Sequence, residues 1–132
     1  MTKPSSHNKR IGAQGEQTAI HYLERLGWHI LAQNFRCRFG EMDIVAEEAT
    51  QDGAVLAFIE VKTRRGSTHG TPQEAVNSRK QEKLFLIAQA YLAKRNAGGE
   101  EPACRFDIVE VFLQSDGLAS IVLHRAAFMG NE

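Results

Sequence analysis

Apolar residues recur at helical spacing in two stretches of the chain and lie in short extended runs elsewhere. In G-A-Q-G-E-Q-T-A-I-H-Y-L-E-R-L-G (12 to 27), Ala19, Ile20, Leu23 and Leu26 mark the inward face of an amphipathic helix that Gly27 stops. Leu84, Ile87, Ala88, Tyr91 and Leu92 repeat the i, i+3, i+4, i+7, i+8 spacing of a second packed helix, with Pro72 suited to its first turn and A-G-G (97 to 99) at its end. Residues 28 to 39 read as extended, and 40 to 47 as a strand following Gly40. The T-Q-D-G cluster ending at Gly53 turns the chain into a further strand over 54 to 63. The stretch 64 to 72 reads as an exposed loop, and strands over 104 to 113 and 119 to 125 flank a turn at Asp116 and Gly117. A leading helix, three strands, a helix and two strands imply an α/β (α+β) fold with a mixed central β-sheet flanked by helices.

One strand carries charge where the pattern asks for none. In L-A-F-I-E-V-K-T (56 to 63), Leu56 and Phe58 share a face with Glu60 and Lys62, while Ala57, Ile59 and Val61 line the other. A strand apolar on both faces is buried on both, so two ionisable groups arrive at the end of a central strand. Left unpaired there, each costs several kcal/mol, which calls for a partner, a metal or ligand phosphates. The strand bearing Asp43 is predicted to lie antiparallel to and beside this one. Glu16, one turn before Ile20, falls within the apolar stripe of the first helix and should face the sheet. Asp43, Glu60 and Glu16 then offer the oxygen ligands that Mg²⁺ or Mn²⁺ prefers, at about 2.1 Å. Lys62, about 6.6 Å along the strand from Glu60, reaches an attacking water or a phosphate. Such a set suits hydrolysis of a phosphodiester.

Length and charge narrow this further. With 132 residues, 42% of them hydrophobic, the chain builds one domain, read here as residues 11 to 128 between a polar N-terminal arm (1 to 10) and a tail (129 to 132). Sixteen Lys and Arg balance sixteen Asp and Glu, which excludes a strongly basic nucleic-acid scavenger and makes any polyanion site local. Arg64, Arg65, Arg79, Lys80 and Lys83 follow the charged strand or open the second helix, where they would contact phosphates; an ordinary solvated face is the competing reading. Competing readings also exist for the acids: a surface ion pair for Glu60 and Lys62, and a helix-dipole preference for Glu16. Glu41 reads as a turn residue and Asp107 as a structural partner of Arg105 or Arg125. Cys37 and Cys104 lack metal or redox spacing. No signal-like or membrane-spanning apolar run is present, so a cytoplasmic protein with no membrane partner is expected.

The D…E-x-K arrangement with a helical glutamate upstream resembles the PD-(D/E)XK nuclease superfamily. The order Glu16, Asp43, Glu60, Lys62 resembles its archaeal Holliday junction resolvase branch. Six blocks, G-E (15 to 16), G-E-M-D-I-V-A (40 to 46), F-I-E-V-K-T-R (58 to 64), E-A-V (74 to 76), R-K-Q (79 to 81) and C-R-F-D-I-V (104 to 109), are together similar to the YraN-type family of uncharacterised bacterial proteins, over nearly all of residues 11 to 128. Met42 stands where the superfamily has a proline, which is not a ligand. The resemblance implies a restriction-endonuclease-like fold and a metal-dependent endonuclease acting on DNA, branched or damaged DNA included. Gln81 resembles a helical glutamine that some branches place near the site. Cutting a junction requires two symmetric nicks, so a homodimer is expected. The alternative is a nucleic-acid-binding or adaptor module that has kept the fold without catalysis.

Overall fold

The computed structural model describes residues 6–65, 76–95 and 102–128. Helix α1 (Ser6–Arg25) leads into strands β1 (His29–Cys37), β2 (Gly40–Thr50) and β3 (Gly53–Arg65); helix α2 (Ser78–Arg95) precedes β4 (Ala103–Leu113) and β5 (Ala119–Phe128). The five strands form one sheet in the order β1-β2-β3-β4-β5. Neighbours are antiparallel except β3 and β4, which run parallel in unbroken register from Val55↔Ala103 to Arg65↔Leu113. A parallel pair needs a crossover, and α2 lies in it.

The two helices cover opposite faces of the sheet. Ala19, Ile20 and Leu23 of α1 pack with Ile44, Ala46, Ala57, Ile59 and Val109. Leu84, Ile87 and Ala88 of α2 pack with Met42, Val45, Leu56, Phe58 and Ile108. Residues 56 to 60 of β3 are all buried, which makes it the central strand the sequence pattern predicts. Each fully buried Leu, Ile or Phe contributes about 1.5–3 kcal/mol, so the two apolar layers dominate the stability. The mixed sheet flanked by helices agrees with the predicted α/β (α+β) class.

Three boundaries differ from expectation. Part of the predicted arm is helical, because α1 begins at Ser6. Leu26, predicted inward, is 46% exposed. The helix has already ended there: Gly27 adopts φ +90°, its N–H donates to Glu24 O and the Trp28 N–H to Leu23 O, at 2.9 and 3.0 Å. This left-handed cap turns the chain so that Trp28, not Leu26, enters the core. Arg64 and Arg65, predicted in a loop, complete β3; the rest of that loop, with Pro72, and the A-G-G helix end lie outside the described residues. Among the described residues no helix is long and apolar enough to cross a membrane.

Gly15 sets how closely α1 approaches β3. A Cβ there would overlap the Thr63 side chain, whereas one at Gly12 meets nothing within 4 Å. Glycine costs a helix interior about 1 kcal/mol relative to alanine, and close packing at Gly15 offsets it. Gly15→Val is expected to destabilise by about 1–3 kcal/mol in urea unfolding, while Gly12→Ala is neutral or stabilising. Equal stability of the two variants would show that the close approach is unimportant.

Candidate active site

The predicted acidic residues meet where two strands part. Pairing of β2 with β3 runs from Thr50↔Gly53 to Ile44↔Ile59, and residues 41 and 42 pair only with β1. Met42 packs under α2 and Ile44 under α1, although residues two apart on a regular strand share a face. The alternation therefore breaks at Asp43. On β1, Asn34 falls between the partners of Met42 and Ile44 and has φ +52°, a conformation asparagine tolerates better than most residues. With the β-ladder ended, the Val61 N–H donates to Asp43 Oδ2 at 2.8 Å, so a side chain takes over a strand-to-strand bond.

Around this fork the other charges gather. Glu60 is 8% exposed; its Oε1 accepts from Lys80 Nζ at 2.7 Å and lies 3.7 Å from Lys62 Nζ. Glu16 is half-buried on α1, close enough to the Asn34 side chain for that amide to favour its charged form. A hollow of about 360 Å³ is lined by Ile11, Gly12, Glu16, Asp43, Glu60, Val61 and Thr63. Lys62 is not in that lining and reaches the group through Glu60.

Burial and mutual repulsion strain these acids. Asp43 is pushed up to about 7 by burial first, then by the Glu60 charge; the Val61 N–H and Lys80 oppose this, and Glu16 adds to it. Glu16 is also raised, by burial and by Glu41, with the Asn34 side chain opposing. Lys62 is lowered by burial and by the Lys80 charge, against Glu60 and Asp43. Lys80 loses to burial but gains more from its hydrogen bond and charge attraction to Glu60, and ends raised. Three carboxylates thus face one hollow with their negative charge incompletely balanced.

This donor set fits a hard divalent ion: Asp43, Glu60 and Glu16 supply oxygen, and the repulsion among them is what a dication relieves. The ligand shell is not closed in advance. Among the described residues no group of three His, Cys, Asp or Glu side chains is close enough to clasp an ion as it stands, and Lys80 holds one oxygen of Glu60. Binding would therefore require side-chain rotation.

The predicted nucleic-acid contacts divide. Arg64 is not brought to the hollow: its Nε donates to Glu110 Oε2 at 3.0 Å, and Glu110, 2% exposed, also pairs with His124 Nε2 at 2.8 Å. Arg65 lines a neighbouring hollow of about 460 Å³ with Ile11, Gln14, Leu113, Gln114 and Ser115, and Ile11 borders both. Arg79 is exposed on the first turn of α2. Gln81 turns back to donate to Val76 O at 2.8 Å, and Lys80 is committed to Glu60. Glu41 pairs with Arg36 at 2.9 Å, and buried Asp107 accepts twice from Arg105 at 2.8 Å; neither acid lines the hollow. Sequence reasoning missed Asn34, for which an extended run offers no signal. It also missed the Lys80 contact, for which a cation in the unfavourable first turn of a helix was a clue.

Residues 15–111 match the profile of the uncharacterised protein family UPF0102. A UPF0102 protein of Symbiobacterium thermophilum is 48% identical over 121 residues, covering 92% of this chain and 98% of its own. One of Desulforamulus reducens is 37% identical over 120 residues, covering 91% and 95%, and one of Clostridium botulinum is 44% identical over 122 residues, covering 92% and 95%. The family match spans Glu16, Asp43, Glu60, Lys62 and Lys80.

Proposed function

The chain belongs to the uncharacterised protein family UPF0102, the YraN-type family its sequence blocks resemble, and from that premise we propose that it is a metal-dependent endonuclease hydrolysing phosphodiester bonds in DNA. The observation that carries the reading is the convergence of Glu16, Asp43 and Glu60 on one hollow, with Lys62 held against Glu60. Asp43 and Glu60 would hold Mg²⁺ or Mn²⁺, with Glu16 completing the shell directly or through water. When bound, such an ion supplies Lewis acidity at the phosphoryl oxygen and neutralises charge that develops there.

The protein's own groups do the rest. The Val61 N–H fixes one Asp43 oxygen and leaves the carboxylate anchored at the fork. Lys62 offers an ammonium that donates to a phosphate oxygen or orients the attacking water, and burial lowers its pKa from the ordinary lysine range. Arg65 and Arg79 would hold flanking phosphates without reading sequence. Branched or damaged DNA in the cytoplasm is the substrate class, and a homodimer would supply the paired nicks that a junction requires.

A second reading has one observation in its favour: Lys80 and Lys62 already satisfy Glu60, as a retained but inactive fold acting as an adaptor or nucleic-acid-binding module would allow. The purified protein incubated with linear, flapped, four-way-junction and single-stranded substrates separates the two. Cleavage with Mg²⁺ or Mn²⁺ that EDTA abolishes is expected. Binding with no metal-dependent cleavage of any substrate would eliminate the hydrolytic reading in favour of the adaptor.

A further inference from the structure

We propose that Lys80 is a displaceable counter-ion, holding Glu60 in the metal-free protein and competing with a divalent cation for the same carboxylate oxygen. The inference rests on the metal-site reading above and adds a residue that gates entry to it. Lys80 Nζ lies 2.7 Å from Glu60 Oε1, closer than Lys62 Nζ at 3.7 Å, although Lys62 shares the strand with Glu60. Lys80 comes from another element, and it is placed there at a cost. Asn77 caps α2, its Oδ1 accepting from the Lys80 N–H at 3.0 Å. Lys80 is thereby in the first helical turn, where the dipole favours acids and where α2 has none.

Glu60 has little water to replace a lost partner, since it is 8% exposed. Without a cation it needs Lys80, because Lys62 Nζ stands off at 3.7 Å and a buried carboxylate beside Asp43 and Glu16 is disfavoured with no closer counter-ion. A bound dication makes the same ammonium repulsive and redundant. Entry of the ion therefore breaks the Lys80–Glu60 bond, and the freed ammonium, beside Arg79 at the head of α2, is available to a phosphate approaching the ion. Lys80 is a positioning residue in the metal-free state, distinct from the four groups assigned to metal and hydrolysis.

Calorimetric titration of Mn²⁺ alone into wild type, Lys80→Met, Lys80→Gln and, as a control of equal charge change on the far end of α2, Lys94→Met tests this. Methionine keeps the stem packing, glutamine keeps polarity, and thermal melts establish that each is folded. Removing the competing ammonium is expected to tighten Mn²⁺ binding roughly tenfold in both Lys80 variants, the scale of one charged hydrogen bond, with Lys94→Met within about twofold of wild type. Unchanged or weaker binding in folded Lys80 variants, while wild type binds Mn²⁺, would overturn the counter-ion role and leave the metal site standing. A gain matched by Lys94→Met would reduce the effect to net charge and overturn it equally. Absence of Mn²⁺ binding in every protein would overturn the metal-site reading and this inference with it.

Discussion

Lys62→Met is expected to lower the single-turnover rate of metal-dependent DNA cleavage by roughly 100-fold or more, the scale of removing one positioned donor to developing charge. Methionine retains most of the stem volume, and Glu60 keeps its shorter bond to Lys80, so the fold should tolerate the change. The thermal midpoint is accordingly expected within a few degrees of wild type. Measuring rate and midpoint on the same preparation separates loss of chemistry from loss of structure. A folded variant that cleaves at the wild-type rate would remove Lys62 from the mechanism.

The second large effect appears without any substrate. Asp43 rises from its ordinary 3.8 to about 7 in the folded chain, chiefly through burial and the Glu60 charge. Between those values the folded state holds a proton that the unfolded state has released. Stability from this group is therefore fully present below about pH 4 and is lost as pH climbs through about 7. Asp43→Asn does not titrate and still offers an oxygen to the Val61 N–H. In EDTA at pH 8 the variant is expected to be more stable than wild type, by on the order of a few kcal/mol. Near pH 4 the gap should close. Urea unfolding at both pH values reads the difference directly. Parallel pH curves for the two proteins would rule out a strained Asp43. Adding Mn²⁺ at pH 8 should stabilise wild type, by about 2.7 kcal/mol at a hundred times its Kd, and stabilise the variant far less.

Legibility followed the range of the interactions. The faces of both helices were readable because Ala19, Ile20 and Leu23, or Leu84, Ile87 and Ala88, recur at a period that backbone geometry imposes locally. Strand β3 was readable because residues 56 to 60 are apolar up to Glu60, and the placement of Asp43 beside it followed from a short turn at Gly53. Leu26 misled because its periodicity continued past the cap that ends α1. Arg64 reads as a free cation in sequence, yet Glu110 reaches it only because β4 docks parallel to β3 in the register Lys62↔Glu110.

By itself, then, the sequence determined the elements, the two-sided core and the residues Glu16, Asp43, Glu60 and Lys62 as a set out of keeping with their apolar surroundings; each is a consequence of spacing along the chain. Tertiary structure decided which charges answer which. It held Asp43 on the Val61 N–H, turned Lys80 of α2 onto Glu60, and drew Arg64 onto the buried Glu110. Those choices depend on groups 18 to 46 residues apart meeting in a low-dielectric interior, where a charge takes whichever partner the packing brings within reach.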